Sequence, residues 1–123
     1  MSWTYLQKTG ELLNPDGFVA GVGYSGFGIA KNDPDAETVA GRGPIPEGLY
    51  TIGPVEVHPD LGPVVMPLIP DPSNEMHGRS AFFIHGDSRE HPGKASHGCI
   101  IMARAVREAV SVSADRKLTV VRA

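Results

Sequence analysis

The chain holds a single thiol, Cys99, in the stretch Ser96-His97-Gly98-Cys99-Ile100. With no second cysteine it forms no disulfide within the chain, so its use is packing, metal binding or nucleophilic chemistry. Free cysteines are most often buried small hydrophobes, but the neighbours of this one point to chemistry. Gly98 has no Cβ and lets a substrate approach the backbone closely. The Gly98 and Cys99 amides could open into one concavity as an oxyanion hole, where a single donor is worth roughly 3–4 kcal/mol to a tetrahedral intermediate.

A thiol with a pKa of about 8.5 is only a few per cent ionised at neutral pH. A histidine that takes its proton overcomes this, and it gains a further factor of about 10²–10⁴ by protonating the leaving group. His85 ends the apolar run Phe82-Phe83-Ile84 and is followed by Gly86-Asp87. His97 lies two residues before Cys99, on the same side of the chain if the backbone there is extended. His85 is the preferred base and His97 a wall that orients the loop or the substrate; the sequence leaves both assignments open. Asp87 either steers His85 as the third member of a triad or braces the turn Gly86-Asp87-Ser88. His77, His85, Asp87, His91, His97 and Cys99 also crowd together as metal donors. Neither Cys-x-x-Cys nor His-Glu-x-x-His accompanies them, and no metal or other cofactor is expected. His58, in a turn before Pro59, reads as a surface residue.

These side chains need a scaffold, and 123 residues supply one domain, residues 1–123. Gly (15) and Pro (11) make up roughly a fifth of the chain and are dispersed, as in a β-rich fold with many turns. Strands are expected at Trp3–Gln7, Glu11–Leu13 and Phe18–Tyr24, with a turn at Asn14-Pro15-Asp16-Gly17. Residues 25–43 read as a long loop with one helical turn at Asp35–Ala40, and Gly43–Gly48 as a rigid turn. Leu49–Val57 reads as a strand interrupted at Gly53-Pro54, and Val64–Ile69 as a strand that Pro67 places near an edge. Ala81–His85 and Cys99–Met102 are short apolar runs. From Ala103 the period becomes helical to about Ala114, with Ala103, Val106, Val110 and Ser113 on one face and Arg104, Arg107 and Glu108 on the other. Leu118–Val121 closes the chain as a strand.

The net charge is −3, and no basic run exceeds two residues, which argues against a nucleic-acid partner. The longest greasy stretch, Pro63–Pro70, is too short to span a bilayer. Met1–Lys8 lacks the charged start, apolar middle and cleavage site of a signal peptide.

With these residues in place, the chain resembles the L,D-transpeptidase catalytic (YkuD-type) superfamily. The matching features are the His-Gly strand end, the Ser-His-Gly-Cys loop and the turn Pro46-Glu47-Gly48-Leu49-Tyr50. It is more closely similar to the compact branch described as type VI secretion L,D-transpeptidase effectors. That likeness runs through Trp3-Thr4-Tyr5 with Thr9-Gly10-Glu11-Leu12, Gly23-Tyr24-Ser25-Gly26-Phe27-Gly28 with Lys31-Asn32, and Gly43 to Gly48. It continues through Gly78-Arg79-Ser80 with Phe83 to Asp87, and ends at Ser96 to Ile100.

The resemblance implies a mainly β, single-domain YkuD-like sandwich or barrel with one C-terminal helix and long loops. It implies a peptidoglycan stem peptide as substrate, attacked after its third residue, with terminal D-alanine released or exchanged through a Cys99 thioester. His85 would serve as base and acid, oriented by the Gly86 carbonyl, while His97 and the Gly98 and Cys99 amides line the oxyanion site. Tyr24, Arg79, Asp87, Ser96 and Arg104 would contact the substrate. Where the wider superfamily often carries arginine two residues after the cysteine, Ile101 stands here, so Arg104 or Arg79 would grip a substrate carboxylate as a bidentate pair. The implied partners are an immunity protein and a secretion-system carrier. The chain would be made in the cytoplasm and act in the periplasm or cell wall of a target cell. Two alternatives from the same residues are a non-catalytic cell-wall-binding module of a phage or secretion particle, and a cysteine amidase.

Overall fold

Alternation along the strands sorts side chains to the two faces of one ten-stranded sheet. The computed structural model describes residues 1–123. The strands are β1 (Trp3–Leu6), β2 (Glu11–Leu13), β3 (Val19–Val22), β4 (Tyr24–Ser25), β5 (Gly48–Ile52), β6 (Glu56–His58), β7 (Gly62–Pro70), β8 (Phe82–His85), β9 (Ile100–Ile101) and β10 (Lys117–Val121). The helix α1 (Arg104–Ser111) precedes β10. The order across the sheet is β3-β2-β1-β10-β5-β7-β8-β9-β4, with β6 paired to β7 off this path. Trp3 and Tyr5, Leu118 and Val120, Tyr50 and Ile52 point to one interior. Met66, Leu68, Phe82, Ile84 and Ile100 join them in a single buried cluster. Val110 of α1 closes that cluster.

The two ends of the sheet path meet through the chain itself. β3 pairs with β2 and β4 pairs with β9, and only Gly23 separates β3 from β4. One bent strand therefore serves both edges and draws the sheet into a nearly closed barrel. The seam demands glycine. A Cβ at Gly23 would lie 1.6 Å from the Ile101 carbonyl oxygen, and one at Gly10 would lie 2.0 Å from the Gly23 oxygen. The Gly23 amide donates to Gly10 O at 2.8 Å, so the two backbones touch directly.

The mainly β, one-helix architecture agrees with expectation, and several details differ. The strand expected over Phe18–Tyr24 is split at Gly23. The helical turn expected at Asp35–Ala40 is a short 3-10 turn at Pro34–Ala36, started by the Asp33 carboxylate accepting from the Asp35 amide. Pro67 is not at an edge: β7 lies between β5 and β8. The ladder tolerates it because β5 ends opposite. Gly53 donates to Pro67 O at 2.8 Å, and the Gly53 oxygen is taken by Arg116 Nη2 at 2.7 Å. The helix is shorter than expected, and its buried face is Val106, Arg107 and Val110, with Ala103 exposed. Arg107 belongs inside because its guanidinium donates to Met102 O at 3.0 Å, Pro63 O at 2.8 Å and Val64 O at 3.0 Å. No helix is long and apolar enough to cross a membrane.

A methyl group at the seam tests this architecture. Gly23→Ala is expected to cost about 3 kcal/mol through backbone overlap that no rotamer relieves, read as a lowered urea midpoint. A stability within 0.5 kcal/mol of wild type would mean that the barrel does not close there.

Candidate active site

Cys99 owes its position to a parallel strand pair. In β8 and β9, Ile84 lies opposite Ile100 and His85 opposite Ile101. Extending that register by one residue sets Cys99 opposite Phe83. Ile84 and Ile100 face the core, so Phe83, His85 and Ile101 share the other face, and Cys99 stands at the bend just before β9. Residues two apart on neighbouring strands have Cα atoms about 7–8 Å apart, within reach of long side chains. Cys99 is half-buried and lines a cavity of about 370 Å³ with Gly41, Arg79, Ala81, Phe82 and His97. Ala81, at φ 65°, turns its carbonyl to within 4.0 Å of Sγ. His77, just before this wall, also holds a positive φ of 56°, the kind of backbone strain that gathers at functional sites.

His85 is 3% exposed, and its Nδ1 lies 2.8 Å from Gly86 O. A carbonyl accepts only, so the neutral ring carries its proton on Nδ1 and presents Nε2 as a base. Burial holds its pKa below the ordinary histidine value against the help of the Gly86 bond. Arg107 and His58 push the same way as burial, and Asp87 opposes. Burial also raises the Cys99 thiol, while the Phe83 amide and the Arg79 charge pull it down. The resting pair is therefore a neutral thiol and a neutral imidazole. Neither ring is hydrogen-bonded to the sulfur in the free protein, where such bonds are commonly long until substrate closes the site.

His97 takes a different place. Gly98 has φ 137°, so residues 97–99 bend and the same-side argument for an extended strand does not apply. The His97 ring stacks on Phe27 at 5.2 Å and its Nδ1 lies 2.9 Å from Gly41 O. It walls the cavity, which His85 does not line.

Several side chains expected to meet substrate are instead consumed in holding the cysteine loop. Ser96, fully buried, donates to Cys99 O at 2.5 Å and accepts from the Gly26 and Gly98 amides at 2.9 and 3.1 Å. The Gly98 N–H is thus occupied by the Ser96 hydroxyl and is not free to serve an oxyanion. Arg79 spends both terminal nitrogens on carbonyls: Nη1 on Glu37 (2.6 Å) and Pro44 (2.8 Å), Nη2 on Gly43 (2.9 Å) and His97 (3.3 Å). No bidentate grip on a substrate remains, but its charge stays beside the thiol. Gly98 makes room for it, since a Cβ there would lie 2.6 Å from Arg79 Nη2 and 2.7 Å from the Phe82 ring.

The Tyr24 hydroxyl donates to Asp87 Oδ1 at 2.6 Å and accepts from the Ala95 amide at 2.9 Å. Asp87 also accepts from the Ser88 amide at 2.8 Å and the Gly93 amide at 3.0 Å. It braces the loop and makes no bond to His85, so the triad alternative fails. Arg104 is exposed, pairs with Glu108 at 3.2 Å, and lies off the cysteine cavity. His58 is half-buried rather than on the surface: its Nδ1 accepts from the Asp60 and Leu61 amides, and its ring meets Phe83 edge-on at 5.3 Å. The crowded histidines and acids disperse, with no three of them converging on one point.

Sequence reasoning passed over Ser25, which lies two residues after the seam glycine. Fully buried, it donates to Gly98 O at 2.9 Å and accepts from the Ile45 amide at 2.8 Å. It also passed over Glu37, which binds Gln7 Nε2 at 2.9 Å and His77 at 3.0 Å. Only the local Tyr24-Ser25 motif hinted at the first, and nothing in the chain pointed to the second.

The fold and the groove define a nearly closed β-barrel domain with a buried imidazole at the end of β8 and a thiol in the loop that enters β9. The model of the Tlde1 domain family matches residues 20–122. The chain belongs to that family, one of type VI secretion effectors of the L,D-transpeptidase kind, which supports an enzyme with a peptidoglycan substrate. No curated protein and no solved structure matches the chain.

The charge of Arg79 beside the sulfur has a measurable consequence. Arg79→Gln is expected to raise the thiol pKa and slow iodoacetamide alkylation of Cys99 at pH 7 by about 3–10-fold. The rate at high pH should return to the wild-type plateau, which a general loss of structure would not allow. An unchanged pH midpoint would remove Arg79 from the thiol's electrostatics.

Proposed function

We propose that the protein is a peptidoglycan L,D-carboxypeptidase and L,D-transpeptidase, delivered as an antibacterial effector, with Cys99 as nucleophile and His85 as base. What supports this reading is the β8–β9 pairing, which brings His85 beside Ile101, two residues after Cys99, together with the tie of His85 Nδ1 to Gly86 O that leaves Nε2 as the free nitrogen.

His85 Nε2 takes the thiol proton as Sγ attacks the carbonyl after the third residue of the stem peptide. The Cys99 amide donates to the oxyanion of the tetrahedral intermediate. The C–N bond then breaks, and Nε2–H protonates the departing amine of D-alanine, leaving a thioester on Cys99. Water attacks that thioester to give a carboxylic acid, or an amine attacks to give a new amide. In either case Nε2 takes one proton from the attacking group and returns it to the sulfur. Keeping both resting partners neutral suits this cycle, since proton and charge move only when substrate is in place.

Incubation with tetrapeptide muropeptides, followed by mass spectrometry, tests the assignment. Wild type should release D-alanine, and Cys99→Ala and His85→Gln should each lose about 10³-fold or more of the rate while remaining folded. Loss of a whole peptide from the glycan would indicate an amidase instead. Full D-alanine release by Cys99→Ala would end the reading.

The pH profile follows from the two shifts. The active protonation state has one proton shared by the pair. It is lost below the depressed His85 pKa and above the raised Cys99 pKa. The kcat/KM profile should therefore be flat through neutrality, with its acid limb below the ordinary histidine range and its alkaline limb above the ordinary thiol range. An acid limb above 7 would contradict a buried neutral imidazole as base.

A further inference from the structure

Arg107 is a buried cation without a counter-ion. It is 8% exposed, and no carboxylate lies within salt-bridge distance of it. Nε and Nη1 are satisfied by the three carbonyls of Met102, Pro63 and Val64. The Val64 carbonyl is aimed there by a β-branched residue at φ 56°, a conformation that must be held in place. Nη2 has no protein partner. It faces Gly86, where a Cβ would lie 2.7 Å from it. Nη2 reaches solvent rather than being sealed in, so its two spare donors are open to an anion that can pair the charge.

The guanidinium opens on a depression of about 390 Å³ lined also by Gly62, Gly86, Asp87, Arg89 and Arg104. Three arginines thus stand around it against one carboxylate, and Asp87 is turned away onto the Tyr24 hydroxyl and the Ser88 and Gly93 amides. Glu108 faces Arg104 from the solvent side of α1. Gly86, which lines the depression, supplies the carbonyl that holds His85 Nδ1, and the Arg107 charge lies near enough to push the His85 pKa down.

We propose that Arg107 Nη2, with Arg104 and Arg89 at the rim, binds the α-carboxylate of the D-amino acid that leaves or enters at the catalytic imidazole. This rests on the reading of His85 as the acid that protonates the departing amine. In a terminal D-amino acid the carboxylate is carried on the carbon next to that amine, so it must lie beside His85. By microscopic reversibility an amino-acid acceptor places its own amine and carboxylate in the same positions. The site thus selects an amine with a neighbouring carboxylate and disfavours the amide, which leaves the guanidinium unpaired.

The test uses the full chain as Cys99→Ala, with NMR of arginine side-chain nitrogens. The probes are the tetrapeptide ending in D-alanine, the same peptide with a C-terminal amide, and free D-alanine. Arg107 signals should move with the first or the third and not with the amide. A response to the tetrapeptide marks the leaving group as the occupant, and a response to free D-alanine marks the acceptor. Unmoved Arg107 signals with both acids overturn the proposal, even in a protein whose wild type releases D-alanine. A shift in a protein that cleaves nothing upholds the anion site while the catalytic reading falls. In wild type, kcat/KM should be at least 10-fold higher for the acid than for the amide. Arg104→Gln plus Arg89→Gln, both exposed, should narrow that ratio by about 3-fold or more. Equal rates on acid and amide would also overturn the proposal.

Discussion

The site depends on the parallel pairing of β8 with β9. A shift of one residue in that register would turn Cys99 toward the core and Ile100 toward solvent, because side chains alternate along a strand. The interior anchors the register, since Ile84 and Ile100 are both fully buried in the same cluster. Apolar packing on one face thus fixes where β8 ends in His85 and where the loop carrying Cys99 enters β9.

A second constraint is that short strands need their loops fixed. β9 is only two residues long, and the loop before it carries the nucleophile. Three polar side chains replace the missing ladder. Ser96 folds the loop on itself, Ser25 ties it to β4 and Ile45, and Arg79 joins His97 to residues 37–44. Their partners are backbone groups that would otherwise be buried without a partner. The same side chains are therefore unavailable to a substrate.

The barrel seam connects these two features. Gly23 lets one bent strand close the sheet, and the residues immediately after it, Tyr24 and Ser25, reach Asp87 and Gly98. Closure and loop bracing are thus supplied by consecutive residues. On the far side of His85, Arg107 ties α1 to the start of β7 and leaves one nitrogen free beside Gly86.

The sequence by itself determined the mainly β class and the succession of turns and strands along the chain, and it singled out Cys99, with His85 or His97, as candidates for acyl-transfer chemistry. Those features are local: residue type, spacing, glycine and proline punctuation. Tertiary structure alone decided which polar residues were free. Arg79, Ser96, Tyr24 and Asp87 look like substrate contacts in a linear motif, yet their partners are residues distant in the chain, such as Glu37, Gly26 and Ala95. Arg107 looked like a solvent-facing helix residue because periodicity reports only which face is apolar. It is buried because three carbonyls of two preceding segments converge on it, and convergence in space has no signature in one-dimensional spacing.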